Sequence, residues 1–479
     1  LLVDMPRATH CVQSLHQLAR TLNTFYFAVN SLDVFFYFFY ANVLASGAGM
    51  IGQRINHATP TIDLKRILWL TLGMTTLLYT MLLVPLALLF HAWIAYPLLL
   101  LTRTRRSERT VPGTTPSPAP TLVIVLSAFN EAEVIAGRIA NIIATDYPAG
   151  KLRVLIGTDG CTDETAARAC EAAAATPWIE VIAFERNRGK VAVLRDLVAT
   201  AQRQAADTHD TLFVFTDANT RFRPDALRQL VRHFADPAVG GVCGRLVFTG
   251  SGSDAEHTYW NLENELKRRE SQIDSCLGAN GAIYALRPEC FWQAIPASTI
   301  VDDFVIGMKV REAGWRMLYD PDAVAEEDVP EVQAEWQRRV RIGSGDYQAA
   351  RLCRACLHPR FGRFAACFWS HKILRWFTPH LVLIMLTATA LSLTCCRTTH
   401  SGTPLLPIAL SVAGGSVLLL AGALAGRLAR RLAWNGAPWQ LCRGLDHFGT
   451  MQAALLVGFV RACRGNLSGA WSRTPRTST

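Results

Sequence analysis

Ile67 to Thr102 contains no Asp, Glu, Lys or Arg. A bilayer crossing needs ~20 apolar residues, so this run suffices for one span, with Pro85 and Pro97 as kink points. Trp376–Cys396 and Thr398–Gly426 are also free of charge and long enough to cross. His447–Val460 is apolar over a shorter stretch, which predicts a re-entrant or interfacial piece, or a short span. Upstream, uncharged Val34–Gln53 reads as a second N-terminal span or an interfacial helix. Three to five spans are therefore expected. Two N-terminal spans place the N-terminus in the cytoplasm and one places it outside. The first residues carry no compact apolar core before a small-residue site, so no cleaved signal peptide is expected.

The remaining sequence is polar. Across 479 residues, 50% are hydrophobic and 18% charged, below the usual quarter. That balance fits a polar domain fused to membrane segments. Net charge is +10, and the cations collect beside apolar runs. Arg103, Arg105, Arg106 and Arg109 follow one; Arg427, Arg430 and Arg431 close another. This is the positive-inside pattern, so the expected partner is membrane lipid and not nucleic acid. The 13 cysteines have no regular spacing, and Cys353 and Cys356 form a lone C-x-x-C. No second ligand pair suits zinc. Reduced, buried thiols place the polar domain on the reducing side of the membrane.

The expected layout is an N-terminal membrane region (1–110), a Pro-rich linker (111–120) and a polar domain (121–355). An interfacial helix (356–375), a C-terminal membrane region (376–465) and a basic tail (466–479) follow. The interfacial helix is read from Phe361–Trp376, where Arg363, His371, Lys372 and Arg375 mix with aromatic residues.

Within the polar domain, strands and helices alternate. Thr121–Ser127, Leu152–Gly157, Trp178–Phe184 and Thr211–Phe215 read as strands; Glu131–Ala144 and Glu164–Ala175 read as helices. Such alternation predicts a mainly parallel sheet with helices on both faces. Ligands then bind beyond the carboxyl ends of the strands. Those ends carry Ser127-Ala128-Phe129-Asn130-Glu131, Thr158-Asp159-Gly160 and Thr216-Asp217-Ala218-Asn219. Asn187-Arg188-Gly189-Lys190 lies between them. Carboxylates that accept hydrogen bonds from a base and ribose, with cations for a diphosphate, are the parts a nucleotide sugar requires. Each alone has a plainer meaning: Asp159 or Asp163 as a helix cap, Arg186 and Arg188 as surface charge.

Taken in order, these motifs resemble the membrane-bound family-2 glycosyltransferases, the group of cellulose, chitin, hyaluronan and poly-N-acetylglucosamine synthases. The resemblance covers roughly Thr121 to Tyr347. It implies an α/β catalytic domain of GT-A type, a Rossmann-like mixed sheet for nucleotide-diphospho-sugars, flanked by transmembrane helices. It implies donor contacts at Ala128, Asn130, Glu131, Asp159, Gly189, Lys190, Asp217 and Arg341. It implies a divalent cation, Mg²⁺ or Mn²⁺, on Asp217 and Asn219, where the family's second Asp is replaced by Asn. An amide oxygen still ligates Mg²⁺, with less charge. Asn280, Gly281 and Asp302 fall on the acceptor side, and Asp303 takes the position of the general base. Gln337-Arg338-Arg339-Val340-Arg341-Ile342 stands where the family often has Gln-x-x-Arg-Trp, so Ile342 replaces a Trp associated with the acceptor in polymerising members.

The expected activity is inverting transfer of a sugar, from a UDP-sugar by resemblance, to a saccharide or lipid-linked acceptor at a bacterial inner membrane. The products would be exopolysaccharide or glycolipid. The alternative is a catalytically impaired membrane subunit that only binds nucleotide sugar. A transporter is disfavoured, because the strongest apolar runs hold no charged residue.

Overall fold

The computed structural model describes residues 64–103, 119–204, 210–249, 254–328, 332–398, 405–434 and 436–465. The expected segment Val34–Gln53, most of the linker and the basic tail lie outside them. The chain divides into two units. One comprises Leu1–Met74 with Cys463–Gly465. The other, Thr75–Ala462 with Asn466–Thr479, holds the sheet and the cavity described below.

In chain order, helix α1 (Leu64–Phe90) continues through a π-helical turn (His91–Ala95) into α2 (Tyr96–Arg103). Then come β1 (Thr121–Ala128), α3 (Ile135–Ile143), β2 (Leu152–Asp159), α4 (Thr165–Ala173), β3 (Ile179–Phe184), α5 (Lys190–Gln204), β4 (Thr211–Asp217), β5 (Arg221–Phe222) and α6 (Ala226–Val231). These are followed by β6 (Val239–Thr249), α7 (Asp254–Ile273), β7 (Tyr284–Leu286), α8 (Asp302–Glu312), β8 (Arg316–Asp328) and α9 (Val332–Leu352). The last elements are α10 (Gly362–Cys367), a π-helical stretch (Phe368–Ile373), α11 (Leu374–Trp376), α12 (Thr378–Thr398), α13 (Leu405–Arg431) and α14 (Ala437–Cys463).

The strands form one eight-stranded sheet in the order β3-β2-β1-β4-β7-β6-β8-β5. The half from β3 to β4 is parallel. β7 then runs antiparallel to both β4 and β6, and β5 antiparallel to β8. β6 and β8 pair in parallel and run with β1–β4, so the sheet is mixed but mainly parallel, as expected. Every β1 residue after Thr121 is buried, as a strand covered on both faces must be. Leu122, Ile124, Leu126, Val154, Ile156, Leu212 and Val214 pack with Ile135, Ile139 and Ile142 of α3 in one core. The register Ser127↔Asp217 and Ala128↔Thr158 brings the ends of β1, β2 and β4 to one edge.

Among the described residues two helical stretches are long and apolar enough to cross a membrane, Gly73–Thr102 and Leu406–Arg431. A third would be the pair Pro359–Trp376 and Thr378–Thr394, bent by 61°. The uncharged run His447–Val460 lies within α14, a helix of 27 residues. Asp446, the charge that truncated the apolar run, sits inside that helix. It is 3% exposed and paired with Arg427 and Arg430 of α13. α9 and α14 meet backbone to backbone. A Cβ at Gly458 would come 2.7 Å from the Ser344 amide nitrogen, and one at Gly343 3.3 Å from the Leu455 Cα.

Candidate active site

At the edge where β1, β2 and β4 end, a cavity of about 490 Å³ opens, within the range of small-molecule sites. Glu131, Lys190, Asp217, Ala218, Asn219, Asn280, Gly281, Asp302, Asp303 and Arg341 line it. At its centre is a cation between acids. Lys190, the first residue of α5, reaches Asp217 Oδ1 at 2.6 Å and Asp302 Oδ2 at 3.6 Å. Burial alone would lower the Lys190 pKa, but Asp217, Asp302 and Asp303 outweigh it and hold the ammonium above its ordinary value.

Asp302 and Asp303 open α8, where carboxylates favour the helix N-terminus. Asp302 is 5% exposed, and its Oδ2 accepts no hydrogen bond. Burial pushes its pKa up to about 6, with Lys190 opposing and the charges of Asp303 and Asp217 adding to the rise. Asp303 is also raised, chiefly by burial. Its Oδ1 accepts the Phe304 amide at 2.8 Å. α8 stands close to the 278–281 segment because a Cβ at Gly307 would lie 2.6 Å from the Ala279 nitrogen. Gly281 faces Asp217 and Lys190: a Cβ there would lie 2.6 Å from Asp217 Oδ2 and 3.5 Å from Lys190 Nζ.

Other expected residues have structural engagements. Both Asp159 oxygens accept backbone amides, Oδ1 from Arg188 at 2.9 Å and Oδ2 from Gly189 at 2.8 Å. Asp159 thereby shapes the turn that delivers Lys190, with Gly189 at φ 87°. Asn130, at φ 55°, exchanges two hydrogen bonds with Thr162, tying the loop after β1 to the loop after β2. Ala128 is fully buried. The Asn280 amide donates to Gly244 O at 2.8 Å and accepts from Ile283 N at 3.2 Å. Arg341 is exposed toward the cavity, beside Arg338, Arg339 and Ile342.

Some cavity residues were not expected from the sequence. Glu327 and Asp328 end β8 beside Asn219, and Thr220 Oγ1 donates to Glu327 Oε1 at 2.8 Å. Arg138 is 1% exposed behind β4; it donates to Thr216 Oγ1 at 2.9 Å. Burial brings its pKa down to about 9, against the pull of Asp217 and Glu327. Deeper in the cavity, Glu263 accepts from Lys372 at 2.7 Å and Arg375 at 2.9 Å. The His371 ring nitrogens lie 2.6 Å from Glu270 Oε1 and 3.1 Å from Glu263 Oε1. Burial alone would raise the Glu263 carboxyl, but Lys372, His371 and Arg375 hold it well below its ordinary range. The signal for this cluster in sequence is faint: Glu263, Lys267 and Glu270 share one face of α7.

The sheet, with its acid-bearing edge, has the GT-A architecture. In fold the chain is similar to a mannosyltransferase of Pyrobaculum calidifontis solved with GDP-Man and Mn²⁺. The TM-score is 0.56 at 24% identity, over 80% of this chain and 98% of that one. Residues 118–342 match the model of "Glycosyltransferase like family 2". Curated relatives include an N-acetylglucosaminyltransferase of Rhizobium leguminosarum bv. viciae, 25% identical over 49% of this chain and 58% of that protein. A beta-monoglucosyldiacylglycerol synthase of a Synechocystis strain is 27% identical over 48% of this chain and 49% of its own. A poly-beta-1,6-N-acetyl-D-glucosamine synthase of Staphylococcus aureus is 25% identical over 47% and 55%. The chain spans about half the length of these relatives.

Proposed function

We propose that the chain is an inverting glycosyltransferase that moves a sugar from a nucleotide-diphosphate donor to a saccharide or lipid-linked acceptor at a membrane. The observation that carries this reading is the Lys190 ammonium, held 2.6 Å from Asp217 and 3.6 Å from Asp302 in the cavity that Asp303 also lines. One end of that cavity suits an anionic diphosphate, and the other suits a hydroxyl that must lose a proton.

Asp303 accepts the proton of the acceptor hydroxyl as its oxygen attacks the anomeric carbon. The bond from that carbon to the diphosphate breaks, and the nucleoside diphosphate leaves. A carboxyl raised by burial is a stronger base than a solvated one. Lys190 and Arg341 offset charge on the leaving diphosphate, an electrostatic contribution that outweighs the proton transfer. Asp159 keeps Lys190 in place through the Arg188 and Gly189 amides. Ala128, Asn130 and Glu131 form the nucleotide side; Asn280, Gly281 and Asp302 form the wall between donor and acceptor.

The residues fit a divalent cation. Asp217 and Asn219 offer hard oxygen donors, both half-buried at the cavity. Among the described residues no group of three His, Cys, Asp or Glu could hold a metal. The remaining ligands would come from phosphate and water, as is common for Mg²⁺. When bound there, Mg²⁺ or Mn²⁺ would neutralise the diphosphate. UDP as the nucleotide follows from the family resemblance.

The proposed layout is a cytoplasmic catalytic domain (121–355) between membrane regions of a multi-pass protein, in a bacterial inner membrane. Exposed Leu418, Leu420 and Leu424 on α13 suit lipid contact. Exopolysaccharide or glycolipid is the product class. Purified full-length chain is incubated with a panel of nucleotide sugars and Mg²⁺ or Mn²⁺. At least one donor should be turned over, and Asp303→Asn should lose at least ~100-fold of transfer. A panel with neither transfer nor hydrolysis, or an Asp303→Asn protein of wild-type rate, refutes the reading.

A further inference from the structure

The turn that carries Asn219 is tied at both ends to a single helix. β4 ends at Asp217 and β5 begins at Arg221, so Ala218-Asn219-Thr220 is the whole connection. The Thr220 amide donates to Asp217 O at 3.4 Å and closes it. Both ends are held by α3. At one end, Arg138 Nη2 donates to Thr216 Oγ1 at 2.9 Å, one residue before Asp217. At the other, Asn141 accepts from the Phe222 amide at 2.8 Å and donates to the Phe222 carbonyl at 2.9 Å. The two α3 residues are themselves joined, because Arg138 Nη1 donates to Asn141 Oδ1 at 2.6 Å. The guanidinium also lies over the Phe222 ring, its Cζ 4.0 Å from the centroid. Arg138 and Asn141 are three positions apart and so share one face of the helix.

The clamp extends to the opposite wall. Thr216 Oγ1 donates onward to Ala282 O at 2.7 Å. A hydroxyl has one hydrogen, which here goes to Ala282, so Arg138 meets a lone pair and fixes the rotor. Ala282 follows Gly281, where a Cβ would collide with Asp217. The Arg138–Thr216–Ala282 chain therefore sets the clearance between Asp217 and that segment.

Packing alone does not call for a guanidinium at position 138. The other buried residues of α3 are Ile135, Ile139 and Ile142. Arg138 is 1% exposed, its hydrogen-bond partners are neutral, and its Nε is buried with none. A buried cation so placed costs stability, and an unsatisfied buried group calls for a cause. The carboxylates whose charge reaches it are Asp217 and Glu327, both at the cavity.

We infer that Arg138 and Asn141 are positioning residues for the divalent cation: by fixing both ends of the turn, they set the Asp217 carboxylate against the Asn219 amide. The inference rests on the glycosyltransferase reading and on Asp217 and Asn219 as metal ligands.

The test is Mn²⁺ binding to the purified full-length chain with UDP, and in a second series with GDP, read as free Mn²⁺ by electron paramagnetic resonance. Binding of each nucleotide in EDTA is measured alongside by isothermal titration. Loss of a group that holds a metal ligand costs ~10- to 100-fold in metal affinity, so Arg138→Met should weaken Mn²⁺ at least ~10-fold and metal-free nucleotide binding by less than ~2-fold. Thr216→Val removes the same bond from the other side and should also weaken Mn²⁺; it stands in should Arg138→Met fail to fold. Because both act through one bond, the double variant should lose no more than Thr216→Val alone. The inference is overturned if neither variant weakens Mn²⁺, if the two losses add, or if metal-free nucleotide binding falls as far as Mn²⁺ binding. Asp217→Asn and donor turnover by wild type test the reading beneath it. If Asp217→Asn loses Mn²⁺ and the Arg138 and Thr216 variants do not, the inference alone falls. If Asp217→Asn keeps it, or wild type binds none, the metal assignment falls and takes the inference with it.

Discussion

A methyl group at position 281 should disable the donor site without unfolding the protein. The Gly281 backbone needs no left-handed conformation, so Gly281→Ala is tolerated by the chain itself. Its Cβ, however, would stand 2.6 Å from Asp217 Oδ2, where ordinary contact begins at 3.4 Å. The carboxylate must therefore retreat by about 0.8 Å, away from the position in which Oδ1 meets Lys190 at 2.6 Å. Asp217 is half-exposed and can swing aside, so stability changes little. Displacing a catalytic group by ~1 Å costs up to ~100-fold in rate. A loss of about 10- to 100-fold in kcat/KM for donor is expected, or about 1.4–2.7 kcal/mol of transition-state stabilisation. Steady-state donor kinetics, paired with a thermal melt, check this. A folded Gly281→Ala protein within twofold of wild-type kcat/KM would refute the placement of Asp217 at the reacting diphosphate. A loss that tracks a large fall in Tm would show that packing, and not the site, was damaged.

Asp303 must be ionised to accept a proton, and its pKa is raised. Transfer should therefore climb with pH along an acid limb above the ordinary carboxylate range. Asp302→Asn removes a neighbouring negative charge and should move that limb to lower pH; a shift upward in the pH–rate profile counts against Asp303 as base. Asp346 is pushed up to about 8, by burial first and by Glu263 and Asp303 against Lys372. The folded state then keeps a proton that the unfolded chain loses near ~4, so wild-type stability declines as pH rises from about 4 to 8. Asp346→Asn should raise Tm relative to wild type more at pH 8 than at pH 5, and equal shifts at both would contradict the assignment. Asn219→Asp restores a second carboxylate and should tighten Mn²⁺ binding in the presence of nucleoside diphosphate by at least ~10-fold. Electron paramagnetic resonance of free Mn²⁺ reads this directly, and unchanged affinity would remove Asn219 from the metal set.

The parallel half of the sheet was legible because β1, β2 and β4 are apolar runs closed by turn residues. The observed ends extend the expected ones by one or two residues, Ala128 against Ser127 and Asp217 against Phe215. β6 and β8 were not legible. β6 carries Gly240, Gly241 and Gly244, placed where Trp315, Met317 and the Ala323 backbone leave no room for a side chain. β8 contains Asp320-Pro321-Asp322 at a register shift against β6. α7 was hidden for a different reason. Its buried positions include Glu263, Lys267 and Glu270, which spoil an apolar period. Their partners Tyr96, His371, Lys372 and Arg375 lie on other elements, far away in sequence. The aspartates were readable because each ends a strand or opens a helix. The engagements of Asp159 and Asn130 were not, because the groups they hold are backbone amides and a threonine from another loop.

The contact between Gly343 and Gly458 gives α9 a second role. α9 carries Arg341 two residues before Gly343, and at Gly343 it lies flat on α14 with no side chain between the two backbones. Nothing compressible separates them, so a shift of α14 along or across that contact is transmitted as a shift of Arg341. The arginine is mounted within one helical turn of that contact. A single methyl at position 458 would press on the Ser344 amide and the Gly343 backbone, and so displace Arg341 from its resting position.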